Sequence, residues 1–435
     1  MLRLLAAVLL ATAAHAQPTG NAGAERAARL DSALAALHAD GLFSGSLAIS
    51  DASGAVVYRY AAGAHAGRPV TTETPLYVAS VSKQMTAAAV LSLVADGRIG
   101  LDDPVARHLD AWPYPEVTVR HLLDQTAGLH FLTTITAHAD TTRPVTSAMA
   151  RALIAEHRPG LAFAPGSAFA YDNANYAALA WLLGALTGQP HGEVLRERVF
   201  EPAGMTDAFV GPSGEVPWIA WAGGDGNAVH ASVEDLLAFD DAFWTGRIVP
   251  DSLVRAALAP PTLADGAASR YVFGRFVQDE PWPLVGHWGE GAEVKTGLWR
   301  ERAEGDLPGT TYAIEATDDG VHRTPILAAA ISIWKGEPFG LPQARPVADV
   351  PAEVLARHVG SYSSGMGLLH ITLADGELRL EPEGAGGYEP LIPASETVFY
   401  FGGQDLTWEF VLDDEGRTVG LQLQGRPDTY GLRVE

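Results

Sequence analysis

Apolar residues between Ala22 and Gly41 recur at helical spacing (Ala27, Leu30, Leu34, Leu37) and stop at a glycine, which predicts an opening helix. Two alternating β-like runs follow, Gly45 to Ser50 and Ala55 to Tyr60. Asp51-Ala52-Ser53-Gly54 between them has turn chemistry, so the pair reads as a hairpin. The pattern turns helical again from Val81 to Gly97, and helical patterns recur at Thr118 to Leu123, Asn175 to Leu186, Ser232 to Phe243 and Pro250 to Leu258. Strand-like runs return late, at Tyr271 to Phe276, Thr310 to Glu315 and Leu327 to Trp334. Strands at both ends of a helix-rich middle imply one sheet assembled from distant parts of the chain, a mixed α/β (α+β) fold.

Helix and strand breakers then accumulate: Gly336, Pro338, Gly340, Pro342, Pro346 and Pro351 mark residues 336–351 as a linker. Residues 352–435 carry short strand-like runs (Leu368 to Leu373, Leu378 to Leu380, Thr397 to Phe401, Trp408 to Leu412, Val419 to Leu423). Turns such as Asp375-Gly376 and Asp413-Asp414-Glu415-Gly416 separate them, which predicts a small antiparallel β module. The expected organisation is a catalytic domain over residues 22–335, the linker, and that module. There are no internal repeats.

The N-terminus alters the picture of where the protein works. Arg3, an apolar run from Leu4 to Ala14, and Ala14-His15-Ala16 before Gln17 describe a signal peptide over residues 1–16, so the protein is expected to be exported, to the periplasm or beyond. The run falls short of the roughly 20 residues that span a bilayer. Cysteine is absent, which excludes disulfides, thiolate metal sites and a cysteine nucleophile. With 47% hydrophobic and 19% charged residues the chain can bury a sizeable core. Its formal charge of −23 disfavours nucleic acid and anionic lipid surfaces as partners.

Three clusters carry candidate chemistry. In Tyr77-Val78-Ala79-Ser80-Val81-Ser82-Lys83 a β-like run meets the start of a long helix, and Ser80 and Lys83, three positions apart, share a helix face. A hydroxyl there sits at the positive end of the helix dipole, and a nearby lysine amine can take its proton. Only three of the 29 basic residues are lysines, so one at this spot is not generic surface charge. The second cluster is Tyr171-Asp172-Asn173, just before a helix. A phenol beside an ammonium group can relay a proton, and an amide can hold both a lysine and a substrate carbonyl. The third is Gly286-His287-Trp288-Gly289, a glycine-rich stretch where a strand can approach a ligand closely.

In this order, S-x-x-K, Y-x-N and H-x-G resemble the serine β-lactamase and penicillin-binding-protein superfamily. The branch concerned holds class C β-lactamases, D-alanyl-D-alanine carboxypeptidases, D-aminopeptidases and esterases. Leu101 to Val105, Val117 to Leu123 with Thr126 to Leu129, and Ala222-Gly223-Gly224 leading to Ser232 to Leu236 are similar to its recurring segments, so the resemblance covers roughly residues 25–335. It implies an antiparallel sheet flanked by helices with a helical lobe, followed by a small β-barrel domain. It also implies an acyl-enzyme on Ser80, with proton transfers shared by Lys83 and Tyr171. Asn173 would orient Lys83 and the substrate amide, and His287 and Gly289 would line the cleft. The backbone N–H groups of Ser80 and Glu290 would form the oxyanion hole. No cofactor or metal is implied, and the substrate would be a small ester, amide or D-amino-acid peptide.

Lys295-Thr296-Gly297 spells K-T-G a few residues on, and both triplets cannot occupy one strand position. His287 is the expected third motif, because residues 291–296 then fall where members of the family run onward into the next turn and strand. A site without the K-T-G lysine is weakened as a penicillin-type site. G-x-S-x-G, H-E-x-x-H, P-loop and dinucleotide fingerprints do not occur. The alternatives are a β-lactamase or D-alanyl-D-alanine carboxypeptidase, or a ligand sensor that keeps the fold without turnover.

Overall fold

A computed structural model describes residues 21–140, 145–212, 227–291, 294–302, 309–317, 323–343, 346–364, 367–382, 389–401, 407–424 and 426–434. The expected signal peptide and Ala222-Gly223-Gly224 lie outside the described residues.

The opening helix is α1 (Asn21–Ala39), and the hairpin is β1 (Gly45–Ser50) with β2 (Val56–Ala62). A short 3-10 turn, Ala79–Val81, leads into α2 (Ser82–Ala95). Residues 83–93 of α2 are all buried, because this helix is apolar on every side and passes through the core. Two further helices are set by their caps. The Asp172 side chain accepts the Ala174 N–H to start α3 (Asn173–Thr187), and Ser232 and Asp235 form a reciprocal capping box on α4 (Val233–Trp244).

The main sheet continues with β3 (Tyr271–Val272), β4 (Arg275–Gln278), β5 (Leu284–Glu290), β6 (Lys295–Glu301) and β7 (Thr311–Ala316). Its strand order is β2-β1-β7-β6-β5-β4-β3, so the N-terminal hairpin is stitched onto a strand more than 260 residues later, with Ser46 opposite Glu315. Both β1 and β7 are buried along their whole length. On one face pack α1 and α5 (Arg323–Lys335), through Leu30, Leu34, Leu37, Ile326, Leu327, Ala330 and Ile331. The other face meets α2, α3 and α4 in a larger core.

Two expectations fail here. Leu327 to Trp334 is helical, part of α5; its core residues Ile326, Leu327, Ala330 and Ile331 recur at helical spacing, and Ile331, Ile333 and Trp334 gave the run a strand-like look. Tyr271 to Phe276 is not one strand but a hairpin. It turns at Phe273 and Gly274, both at positive φ (44° and 83°), as a tight two-residue turn requires.

Residues 336–343 and 346–351 carry no helix or strand. Beyond them, eight strands between Gly360 and Arg433 form a closed antiparallel barrel, sealed by its first and last strands at Tyr362 with Arg433 and Ser363 with Leu432. Tyr362, Leu369, Ile371, Leu380, Phe399, Trp408 and Phe410 fill it. The sequence reading missed its strands at Gly360–Ser364, Glu389–Pro393 and Arg426–Arg433. Glycine, serine and proline dilute their alternation.

Candidate active site

Ser80 stands in the 3-10 turn that precedes α2. The residue before it, Ala79, is held at φ 44°, a conformation a non-glycine residue adopts only when its surroundings impose it. Val78 imposes it from behind: its N–H donates to Val229 O (3.0 Å) and its carbonyl accepts the Val81 N–H (3.1 Å). The turn thus lifts the Ser80 hydroxyl to the surface of the core while its flanks, Val78 and Val81, stay fully buried.

Lys83, one turn into α2, is buried and donates from Nζ to Ser80 Oγ at 2.9 Å. Its Nζ also lies 5.1 Å from the ring centroid of Tyr171 and 5.8 Å from that of Tyr176, close enough for cation–π attraction. Tyr171 approaches from the other side, with Oη donating to Ser80 Oγ at 2.9 Å. The loop that carries it is tied down by Gln125, whose Oε1 accepts both the Asp172 N–H (3.0 Å) and the Asn175 Nδ2 (2.6 Å). Ser80, Lys83 and Tyr171 therefore meet at one oxygen. Asn173 does not join them: it is exposed at the start of α3 and makes no hydrogen bond with Lys83, because Lys83 already points between the two tyrosine rings.

The two candidate third motifs lie on neighbouring strands in the register His287 with Leu298, Gly289 with Thr296 and Glu290 with Lys295. Strand alternation separates them. His287 faces the Ser80 side, its ring 5.7 Å from Tyr171, 5.8 Å from Tyr271 and 5.0 Å from Phe276. Lys295 and the Glu290 carboxylate face the opposite side, where Glu290 pairs with Lys295 (3.4 Å) and with Arg323 of α5 (2.7 Å). The lysine of the K-T-G triplet is thus an ion-pair partner behind the sheet.

Burial, and then the nearby Lys83 ammonium, push the His287 imidazole down to about 3, so the ring is neutral at ordinary pH. Its Nδ1 bonds the Trp288 carbonyl, which can only accept, so Nδ1 carries the proton. Nε2 is then a buried acceptor with no hydrogen-bond partner among the described residues. The half of β5 that bears His287, Gly289 and Glu290 has no strand paired on its second side among the described residues, since β4 pairs only with Leu284–Gly286.

The sequence reading missed the wall around this point: Tyr176, Tyr271 and Phe276. Tyr176 follows Asn173 by three positions on one helix face, a signal that was available. Tyr271 and Phe276 face each other across the hairpin that had been taken for one strand. Beneath them Asp124, pushed up to about 7 by burial, accepts the Phe273 N–H (3.3 Å). Among the described residues no group of three or more His, Asp or Glu could hold a metal.

Arranged this way, a hydroxyl with two proton-handling neighbours, beside a strand with a free edge, can attack an acyl carbon and hold the acyl group. Residues 30–306 match the Beta-lactamase family. Penicillin-binding protein 4* of Bacillus subtilis (strain 168) is 26% identical over 409 residues, covering 85% of this chain and 89% of that one. A D-aminopeptidase of Brucella anthropi is 31% identical over 261 residues, 54% of this chain; the chain spans about half (49%) of that relative's length. Among solved structures, SurE with D-Leu superposes with a TM-score of 0.60 at 23% identity, over 95% of this chain and 100% of that one. An octameric penicillin-binding protein homologue from Pyrococcus abyssi gives 0.60 at 20% identity, over 91% and 97%. At these identities the two structures speak to the fold alone.

Proposed function

The chain belongs to the Beta-lactamase family, and from that premise we propose that it is a serine hydrolase working through an acyl-Ser80 intermediate, with amides or esters of D-amino acids and short D-amino-acid peptides as its substrate class. The observation that carries the reading is the double approach to one oxygen: Lys83 Nζ and Tyr171 Oη each 2.9 Å from Ser80 Oγ.

In acylation the Lys83–Tyr171 pair enters one proton short of ammonium plus phenol; Ser80 Oγ bonds to the acyl carbon and its proton passes to whichever member of the pair is deprotonated. The carbonyl oxygen, now negative, is held by the backbone N–H groups of Ser80 and Glu290. As the tetrahedral species collapses the bond to the leaving amine or alcohol breaks, and that group takes the proton from the pair. Water then attacks the acyl carbon and gives its proton to the same pair; the bond to Ser80 Oγ breaks, the pair returns that proton to Oγ, and the acid is released. His287 Nε2, neutral and accepting, is suited to a substrate N–H. The D-aminopeptidase relatives support the amide and D-amino-acid preference.

A fluorophosphonate probe followed by peptide mass spectrometry should label Ser80 in the wild type. Ser80→Ala should lose both labelling and turnover of a D-alanine p-nitroanilide. Lys83→Ala and Tyr171→Phe should fall by similar large factors, and the double variant should be little worse than either, as for groups acting as a unit. A fully active Ser80→Ala protein would overturn the proposal; turnover without labelling would point to a water nucleophile.

A further inference from the structure

The K-T-G look-alike is left without a role once its lysine is assigned to the back of the sheet, yet its middle residue is placed with care. Thr296 is wholly buried, on the Ser80 side of β6, and its Oγ1 donates to the carbonyl of Val78 at 2.9 Å. That carbonyl belongs to the residue two before the nucleophile, and it is the same one that accepts the Val81 N–H to close the turn. Directly opposite Thr296 in the register is Gly289. A Cβ there would fall 2.0 Å from Thr296 Oγ1 and 2.3 Å from Val78 O, so strand, threonine and nucleophile turn are in contact with no space between them. The next residue on the strand is Glu290, whose N–H is one half of the oxyanion hole proposed above; the N–H of Ser80 is the other half.

We propose that Thr296 is a positioning residue that sets the separation between the two oxyanion-hole donors, by clamping the Val78 carbonyl against the strand that carries Glu290. The inference rests on the reading of Ser80 as an acylated nucleophile. The hydroxyl has the shortest reach that can do this. A methyl in its place loses the donor and cannot approach the carbonyl to 2.9 Å, so the Ser80 turn is displaced from β5. Along the same row, Thr296 pairs with Glu315 and Glu315 with Ser46, whose Oγ donates to Glu315 Oε2 at 3.3 Å. Burial raises the Glu315 carboxyl well above its usual range.

Thr296→Val, Thr296→Ala and Thr296→Ser test this in the full chain. The measurements are kcat and KM on a D-alanine p-nitroanilide, and the inhibition constant of an alkylboronic acid, which forms a tetrahedral adduct on a serine with one oxygen in the oxyanion hole. The expected result for Val and Ala is a fall in kcat of about 10–100-fold, short of the roughly 10²–10³-fold that removing an oxyanion donor outright costs, because the donors are shifted and not lost. KM should stay within about threefold, and boronate affinity should weaken in proportion to kcat. Ser should restore both to within about threefold of wild type. Unchanged kcat in Val and Ala would overturn the proposal. So would a loss of kcat that tracks melting temperature while boronate affinity holds, and so would failure of Ser to rescue. Should Val not fold, Ala and Ser carry the comparison alone. Absence of fluorophosphonate labelling in the wild type would instead sink the nucleophile assignment on which the inference stands.

Discussion

His287 and Lys295 sit eight positions apart on opposite faces of the same sheet, and single substitutions should tell them apart. His287→Ala removes a neutral acceptor beside Tyr171, so turnover should fall by about 10–1000-fold, as for one well-placed polar group near a transition state. Lys295→Ala leaves Glu290 with Arg323 and should be mild in turnover, its effect appearing in melting temperature. Steady-state kinetics on a short p-nitrophenyl ester and a D-alanine p-nitroanilide measure both; an essential Lys295 with a dispensable His287 would reverse the assignment. At this scale the sequence was legible wherever a residue type carries its chemistry with it. Ser80, Lys83, Tyr171 and His287 stand out because few other residue types could serve in those triplets. Asn173 was legible as a candidate but not in its contacts, since what Lys83 touches depends on Tyr176, whose place on the Asn173 helix face was readable but whose approach to Lys83 is set by the fold. Tyr271 and Phe276 are similarly indistinct, because an aromatic ring lines a site only by virtue of what the fold brings to it.

The hairpin of β3 and β4 links α2, the helix that follows Ser80, to the aromatic wall. Its turn glycine, Gly274, lies against the backbone of α2, where a Cβ would come within 2.7 Å of the Lys83 carbonyl, and its strands present Tyr271 and Phe276. Asp124 holds the turn by accepting the Phe273 N–H. Because the folded-state carboxyl titrates near 7 and the unfolded one near 4, the folded state binds more protons between those values, and stability falls as pH rises from about 4 to 7. Asp124→Asn keeps the acceptor and removes the charge. It should match the wild type below pH 4 and exceed it above pH 7, the gap widening by on the order of 1 kcal/mol per pH unit between. Chemical denaturation across that range measures the gap; parallel curves would dismiss the role given to Asp124. This hairpin was hidden in the sequence because Tyr-Val-Phe-Gly-Arg-Phe lacks the Asn-Gly or Asp-Gly turn signal, and a phenylalanine at positive φ is paid for by burial that only the fold reveals. Helix α5 was hidden for the opposite reason: Ile331, Ile333 and Trp334 gave it a strand-like look, while its alanines and its spacing favour a helix.

For the molecule as a whole, the composition and spacing of the chain showed that a sheet joins its two halves and that a β module follows the linker. The family resemblance implied the barrel, and the structure bears it out; the registers were not legible, since they depend on pairings between strands with weak local signals, such as Gly360–Ser364 and Arg426–Arg433. Closure itself is testable. Deleting Arg426–Arg433 bares two strand edges, and limited proteolysis should then cut within residues 352–424 at protease levels that spare the intact chain. Equal resistance would mean that the seam contributes little. The seam also dictates timing. A meander can acquire order strand by strand as it leaves the ribosome or a translocation pore, but this one has its first strand waiting for its last. Until residue 433 has been delivered, the strand at Gly360–Ser364 carries an unpaired edge open to any other extended chain. The interval between those two moments, set by the rate of chain delivery, is when this module is most exposed to misassembly, and slowing delivery over residues 365–433 would lengthen it.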